Sequence, residues 1–156
     1  MPSVFPALPA HGMRREMIKI VETTRVTEKA DALWRDIGRF GAVGQWHPLL
    51  SKVESEGERK GALRAAEGRD GSRQIERLLE TVPGQHFYRY RMEKTAMLVR
   101  DYTAELRVED NHDGSSTVIW SAEFEPMSDE TKTIEGIRSF LRTGLDNIAA
   151  LHGKAS

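Results

Sequence analysis

From Leu50 onward the chain alternates apolar and polar residues in short runs, the period-two pattern of strands that lay one face on a core. The runs are Leu50–Glu56, Ala62–Glu67, Arg73–Val82, His86–Glu93, Arg100–Glu109 and Ser116–Glu125. Asp70-Gly71, Pro83-Gly84 and Asp113-Gly114 supply turn chemistry between them. Connections this short impose antiparallel pairing, because a parallel partner needs a long crossover. Ahead of these runs, Met17–Val26 is rich in β-branched residues and predicts a further strand. The period then changes to 3.6: Ala30, Leu33, Trp34 and Ile37 share one helical face, with Thr27 as the expected N-cap and Gly38 as the stop. At the far end, Ser128-Asp129-Glu130-Thr131 has the composition of a capping region. Ile134, Ile137, Leu141, Leu145 and Ile148 follow as an apolar stripe, widened by Phe140 and Leu151. Gly144 sits on that stripe, where it lets a long helix bend or approach the sheet closely.

This order predicts an α+β fold, a seven-stranded antiparallel sheet wrapped around a long C-terminal helix, with two short helices near the N-terminus. Between the first helix and the second strand, the segment IGRFGAVGQWHP (Ile37 to Pro48) holds three glycines, two aromatics, a histidine and a proline. It predicts an irregular lid that lays an indole, Trp46, and an imidazole, His47, against the concave face of the sheet.

Alternation also assigns faces. Val118, Trp120, Ala122 and Phe124 share one side of their strand; Tyr102, Ala104, Leu106 and Val108 share one side of theirs; Tyr88, Tyr90 and Met92 share a third. All three sets read as inward. The run Arg73–Val82 is less regular. An odd-length loop at Pro83-Gly84 brings Glu76 and Leu78 to the inward side with Tyr90, and an odd loop around Asp70 sets Arg64 opposite Glu76. A single bulge reverses that arrangement.

Composition narrows the function classes. A chain of 156 residues is large enough for one domain with a real core; the expected domain spans 16–153, and the proline-broken stretch 1–15 reads as a disordered leader rather than a signal peptide. With 23 basic and 24 acidic side chains interspersed, no basic stripe marks a nucleic-acid partner. Arg89 and Arg91 alternate with aromatics on one strand, but as a solvated face. No apolar run is long enough to span a membrane, so no membrane insertion is expected. The absence of cysteine rules out disulfides, thiolate nucleophiles and cysteine-based zinc sites, and it fits a cytoplasmic protein. His11, His47, His86, His112 and His152 are scattered without metal spacing, so neither metal nor other cofactor is expected. The chain carries no dinucleotide fingerprint, P-loop or nucleophile elbow.

Several of these residues together resemble a known group. Trp34-Arg35-Asp36-Ile37-Gly38-Arg39-Phe40, Trp46-His47-Pro48, Gly61, Arg64, Asp70-Gly71 and Glu76-Arg77-Leu78, extended by Tyr88–Tyr90, Asp101-Tyr102 and Val118–Phe124, are similar to the SRPBCC superfamily. These are the START-like, helix-grip proteins, with the polyketide cyclase/dehydrase family and the birch-pollen-allergen type among them. The resemblance runs from about Met17 to Leu151 and implies a hydrophobic cavity between the sheet and the long helix. On that reading the chain binds a small hydrophobic or aromatic molecule, lipid-, polyketide- or hormone-like, as a monomer or homodimer. Trp34, Trp46, Leu78, Tyr88, Tyr90, Tyr102, Trp120, Phe124, Leu141, Leu145 and Ile148 line the cavity, and Arg64, Glu76 and His47 read polar groups. Arg64 and Glu76 serve either as an ion pair that satisfies itself or as the groups that orient a ligand. The alternatives are a polyketide cyclase/dehydratase-type enzyme, with Glu76 as base and His47 or Tyr90 as partner, and a non-catalytic, stress-related adaptor whose cavity is incidental.

Overall fold

The computed structural model describes residues 16–154; the expected leader, 1–15, lies outside them. Seven strands, β1 (Ile18–Val26), β2 (Leu50–Ser55), β3 (Leu63–Gly68), β4 (Arg73–Val82), β5 (Phe87–Lys94), β6 (Val99–Asp110) and β7 (Ser116–Pro126), make one sheet. Its order is β1-β7-β6-β5-β4-β3-β2, with every neighbouring pair antiparallel. Helix α1 (Ala30–Ile37) follows β1, α2 (Val43–Trp46) precedes β2, and α3 (Glu130–His152) closes the described chain. The expected strands and the two amphipathic helices are all present, with ends within a residue or two of those read from the periodicity.

Four local expectations need correction. Thr27 does not cap α1: Lys29 holds that position without a side-chain hydrogen bond, and the Thr27 amide instead donates to Gly153 O at 2.8 Å. Leu151 lies off the buried stripe and is 57% exposed. The lid is not irregular; a 3-10 turn at Phe40–Ala42 runs directly into α2. Finally, the loop before β5 does not set the parity of β4. Val82 pairs with Phe87 and Thr81 with Tyr88, a register that would lead Tyr90 to Leu79. The register shifts between Leu78 and Glu80, and this bulge supplies the one-residue offset that brings Leu78 opposite Tyr90. The loop at Asp70 does behave as expected and sets Arg64 opposite Glu76.

The long helix begins at Asp129, whose side chain accepts from Lys132 N. It packs chiefly on β1 and β7, and Arg138 and Arg142 tie it to Glu22 of β1 at 2.8 and 3.2 Å. Ile137, Leu141, Leu145 and Ile148 are buried beneath it, against Trp120 and Phe124 of the same core. The helix therefore covers one half of the concave face. The 3-10 turn and α2 contact β2 and cover the other half, burying Phe40, Val43 and Trp46.

Candidate functional site

Arg64 of β3 and Glu76 of β4 meet across their ladder on the concave side. Arg64 Nε donates to Glu76 Oε1 at 2.7 Å, and Nη2 lies 2.6 Å from the same oxygen. Its Nη1 donates to Phe40 O at 2.8 Å and to the Tyr88 hydroxyl at 3.2 Å. The guanidinium stacks over the Phe40 ring, 4.1 Å from its centroid, with the Tyr90 ring centroid 4.7 Å away. Burial by itself disfavours the Arg64 charge, but Glu76 and the hydroxyls of Tyr88 and Tyr90 outweigh it and raise its pKa above the ordinary arginine value. The Arg64 side chain is 1% exposed while Glu76 keeps 10%, so what remains accessible of the pair belongs to the carboxylate.

Aromatic hydroxyls surround the pair. Tyr90 OH accepts from Trp120 Nε1 at 3.1 Å, and Tyr102 stacks on Phe124 with centroids 5.7 Å apart. Burial raises the pKa of Tyr88, Tyr90 and Tyr102, so all three hydroxyls keep their protons at neutral pH. Tyr102 shares the buried face of β6 with Ala104, Leu106 and Val108 by plain alternation. Asp101, exposed beside it, has φ 55 at a register shift in the strand.

His47 closes the lid onto α3. Its Nε2 donates to Phe140 O at 2.8 Å and its Nδ1 accepts from Leu49 N at 3.2 Å, which fixes the neutral tautomer. The ring stacks on Phe140, centroids 3.9 Å apart. Burial lowers its pKa to about 4, against the pull of the Phe140 carbonyl. Both ring nitrogens are committed within the protein, so the imidazole fastens two elements and has no atom left for a ligand's proton. The approach depends on Gly144, where a Cβ would stand 2.6 Å from His47 Cδ2 and 2.8 Å from Trp120 Cζ3.

The remaining expected liners are buried but fall into separate groups. Trp46 packs edge-on against Trp120 at 5.3 Å. Trp34 lies at the other end of the groove against Tyr88 and His86, centroids 6.1 and 6.0 Å away. Leu78, Leu141, Leu145, Ile148 and Phe124 are core, each 1% exposed or less. Arg64 itself is enclosed by Glu76, Phe40, Tyr88 and Tyr90, and a pocket opens at the groove's mouth. It has a volume of about 240 Å³ between β2, the β3–β4 hairpin and α3, with Leu49, Leu50, Ala66, Gln74 and Phe140 in its wall. Gln74 Oε1 is buried there without a hydrogen-bond partner. Alternation could have found Gln74, two residues before Glu76 on the same strand face; nothing local marked Glu58, whose carboxylate accepts from the amides of Phe40 and Gly41 at the start of the lid. Asn147 is equally silent in the sequence, yet its Nδ2 donates to Trp46 O at 2.8 Å.

On the outer face of the sheet, Arg89 pairs with Glu80 and Glu105, Arg91 with Glu93, and Arg107 with Glu105. These three arginines each have an acidic neighbour, which neutralises that stretch of the face.

Residues 17–153 match the model of a family described as polyketide cyclase / dehydrase and lipid transport. Among solved structures, XoxI from Bacillus cereus superposes with a TM-score of 0.80 at 22% identity, over 86% of this chain and 94% of that one. A protein from Thermobifida fusca gives 0.74 at 26% identity, over 86% and 93%. The Zhui aromatase/cyclase from Streptomyces sp. R1128 gives 0.75 at 15% identity, over 88% and 94%. The helix-grip fold is common to them. A comparison with proteins of curated function returns no match.

Proposed function

We propose a binding role for this chain, which belongs to the polyketide cyclase/dehydrase and lipid transport family of the SRPBCC superfamily: it takes a small hydrophobic or aromatic molecule into the groove between sheet and α3. Gln74 and Glu76, roughly 7 Å apart along one face of β4, read the ligand's polar group. The observation that carries this reading is the pocket at the mouth, where Gln74 Oε1 is buried and unsatisfied. Such an atom costs about 1–3 kcal/mol until a donor reaches it. A ligand hydroxyl or amide would remove that cost while its apolar body covers Leu50, Ala66 and Phe140. Met92, Met97 and Ile134 pack only partly buried at the edge of the core, and methionine adapts its shape to what enters.

Ala66→Phe tests this by filling the pocket from β3 without altering Arg64 or Glu76. Tryptophan fluorescence, followed during titration with a panel of aromatic and acyl compounds, should show saturable binding by wild type. The variant should bind at least tenfold more weakly, a loss of about 1.4 kcal/mol. Equal affinities, or no binding across the panel, would contradict the proposal.

A second reading, an enzyme of polyketide cyclase/dehydratase type, is favoured by one observation: Tyr90 keeps its proton and accepts from Trp120, which leaves its own O–H to donate. Glu76 would act as base and Tyr90 as donor. Glu76→Gln should then abolish turnover and spare binding, and unchanged turnover would remove Glu76 from the role.

A further inference from the structure

Away from the groove, three side chains from three parts of the chain converge at the C-terminal end of α3. Glu28 comes from the turn between β1 and α1, Asp36 from the last turn of α1, and His152 ends α3. One oxygen of each carboxylate and one nitrogen of the imidazole all lie within 4.8 Å of one another. His152 Nδ1 is 3.1 Å from Glu28 Oε1 and 3.8 Å from Asp36 Oδ2. Glu28 Oε1 is out of solvent's reach, yet it accepts no hydrogen bond. The neighbouring imidazole nitrogen therefore does not aim at it, although the two are in contact.

We propose that Glu28, Asp36 and His152 bind a divalent transition-metal ion of the zinc type. Zinc takes imidazole nitrogen and carboxylate oxygen at roughly 2.0–2.2 Å, and tetrahedral angles then set neighbouring ligand atoms roughly 3.3 Å apart. The imidazole's 3.1 and 3.8 Å to the two carboxylates bracket that spacing, and with all three atoms within 4.8 Å of one another, side-chain rotations complete it. An imidazole among the donors selects a zinc-like ion over calcium or magnesium, which prefer oxygen alone. The ion would sit between the Glu28 oxygen and the imidazole nitrogen, which touch without a hydrogen bond. Asp36, 59% exposed, stands on the solvent side, where a water would take the fourth position. The fold itself imposes the convergence. Val26 bridges Lys154, the Thr27 amide bonds Gly153 O, and Gly153 turns at φ 104 in a space where any Cβ would strike Thr27 Oγ1. A bound ion would cross-link the β1–α1 turn, α1 and α3, and so stabilise the folded chain.

The test uses the untagged full chain titrated with Zn²⁺ by calorimetry, followed by thermal unfolding with and without the ion. One equivalent should bind, and the unfolding midpoint should rise by a few degrees. Asp36→Asn, on the exposed side of the cluster, should keep the fold and weaken binding by at least about tenfold. His152→Asn should do the same, and if that variant fails to fold, Asp36→Asn decides alone. His112→Asn, at an exposed histidine beside Asp110, should leave the affinity unchanged. Co²⁺ in place of Zn²⁺ should give visible absorption bands that Asp36→Asn removes. The absence of saturable binding, an affinity untouched by Asp36→Asn, or an equal loss in His112→Asn would overturn the proposal.

Discussion

At His47 the imidazole gives its Nε2 proton to Phe140 O and its Nδ1 lone pair to the Leu49 amide. Adding a second proton would break the bond from Leu49 inside a buried site. The folded pKa, about 4, stands below the ordinary 6.5, so between these values the unfolded chain binds more protons than the folded one. Stability is therefore fully present above about pH 6.5 and falls as the pH drops toward 4, by about 3 kcal/mol at about 1.4 kcal/mol per unit. His47→Gln keeps a donor near Phe140 and has no proton to take up. Urea midpoints measured across this range should fall less steeply in the variant than in wild type, and parallel curves would contradict the assignment. In the sequence His47 stood out by type and by its place beside Trp46. Its role did not, because its partner carbonyl is 93 positions away. The Arg64–Glu76 pairing was legible, since alternation and an odd turn are enough to align two residues on a hairpin.

Elements show the same division. Strand positions and the apolar stripe of α3 follow from local periodicity and could be read directly. The lid could not: three glycines weaken any helical reading, and the segment is held by Glu58, Arg64, His47 and Asn147, all of them tertiary contacts. The bulge at Leu79 was equally hidden, because packing rather than local composition decides where a ladder gains a residue. Gly144 joins the two levels. In an isolated helix, alanine there would gain about 1 kcal/mol. Here its methyl would press on His47 and Trp120, and overpacking a closed core costs about 1–3 kcal/mol. Gly144→Ala should therefore destabilise the protein in denaturant titrations, with amide exchange rising at Trp46 and His47. A more stable variant would show that lid and helix are not closely apposed.

For the whole molecule, the asymmetry of cover matters most. α3 lies over β1 and β7, the lid over the opposite half, and the mouth forms between α3 and the β3–β4 hairpin, beside Phe140, Ala66 and Gln74. Among the described residues no helix is long and apolar enough to cross a membrane. Binding in the groove is the claim on which the rest depends. Native mass spectrometry of the freshly purified full chain tests it most directly. The account expects a population carrying one small apolar or aromatic molecule, bearing a hydrogen-bond donor, released on denaturation and missing from Ala66→Phe. A chain that is empty as purified and takes up no aromatic or acyl compound would contradict it.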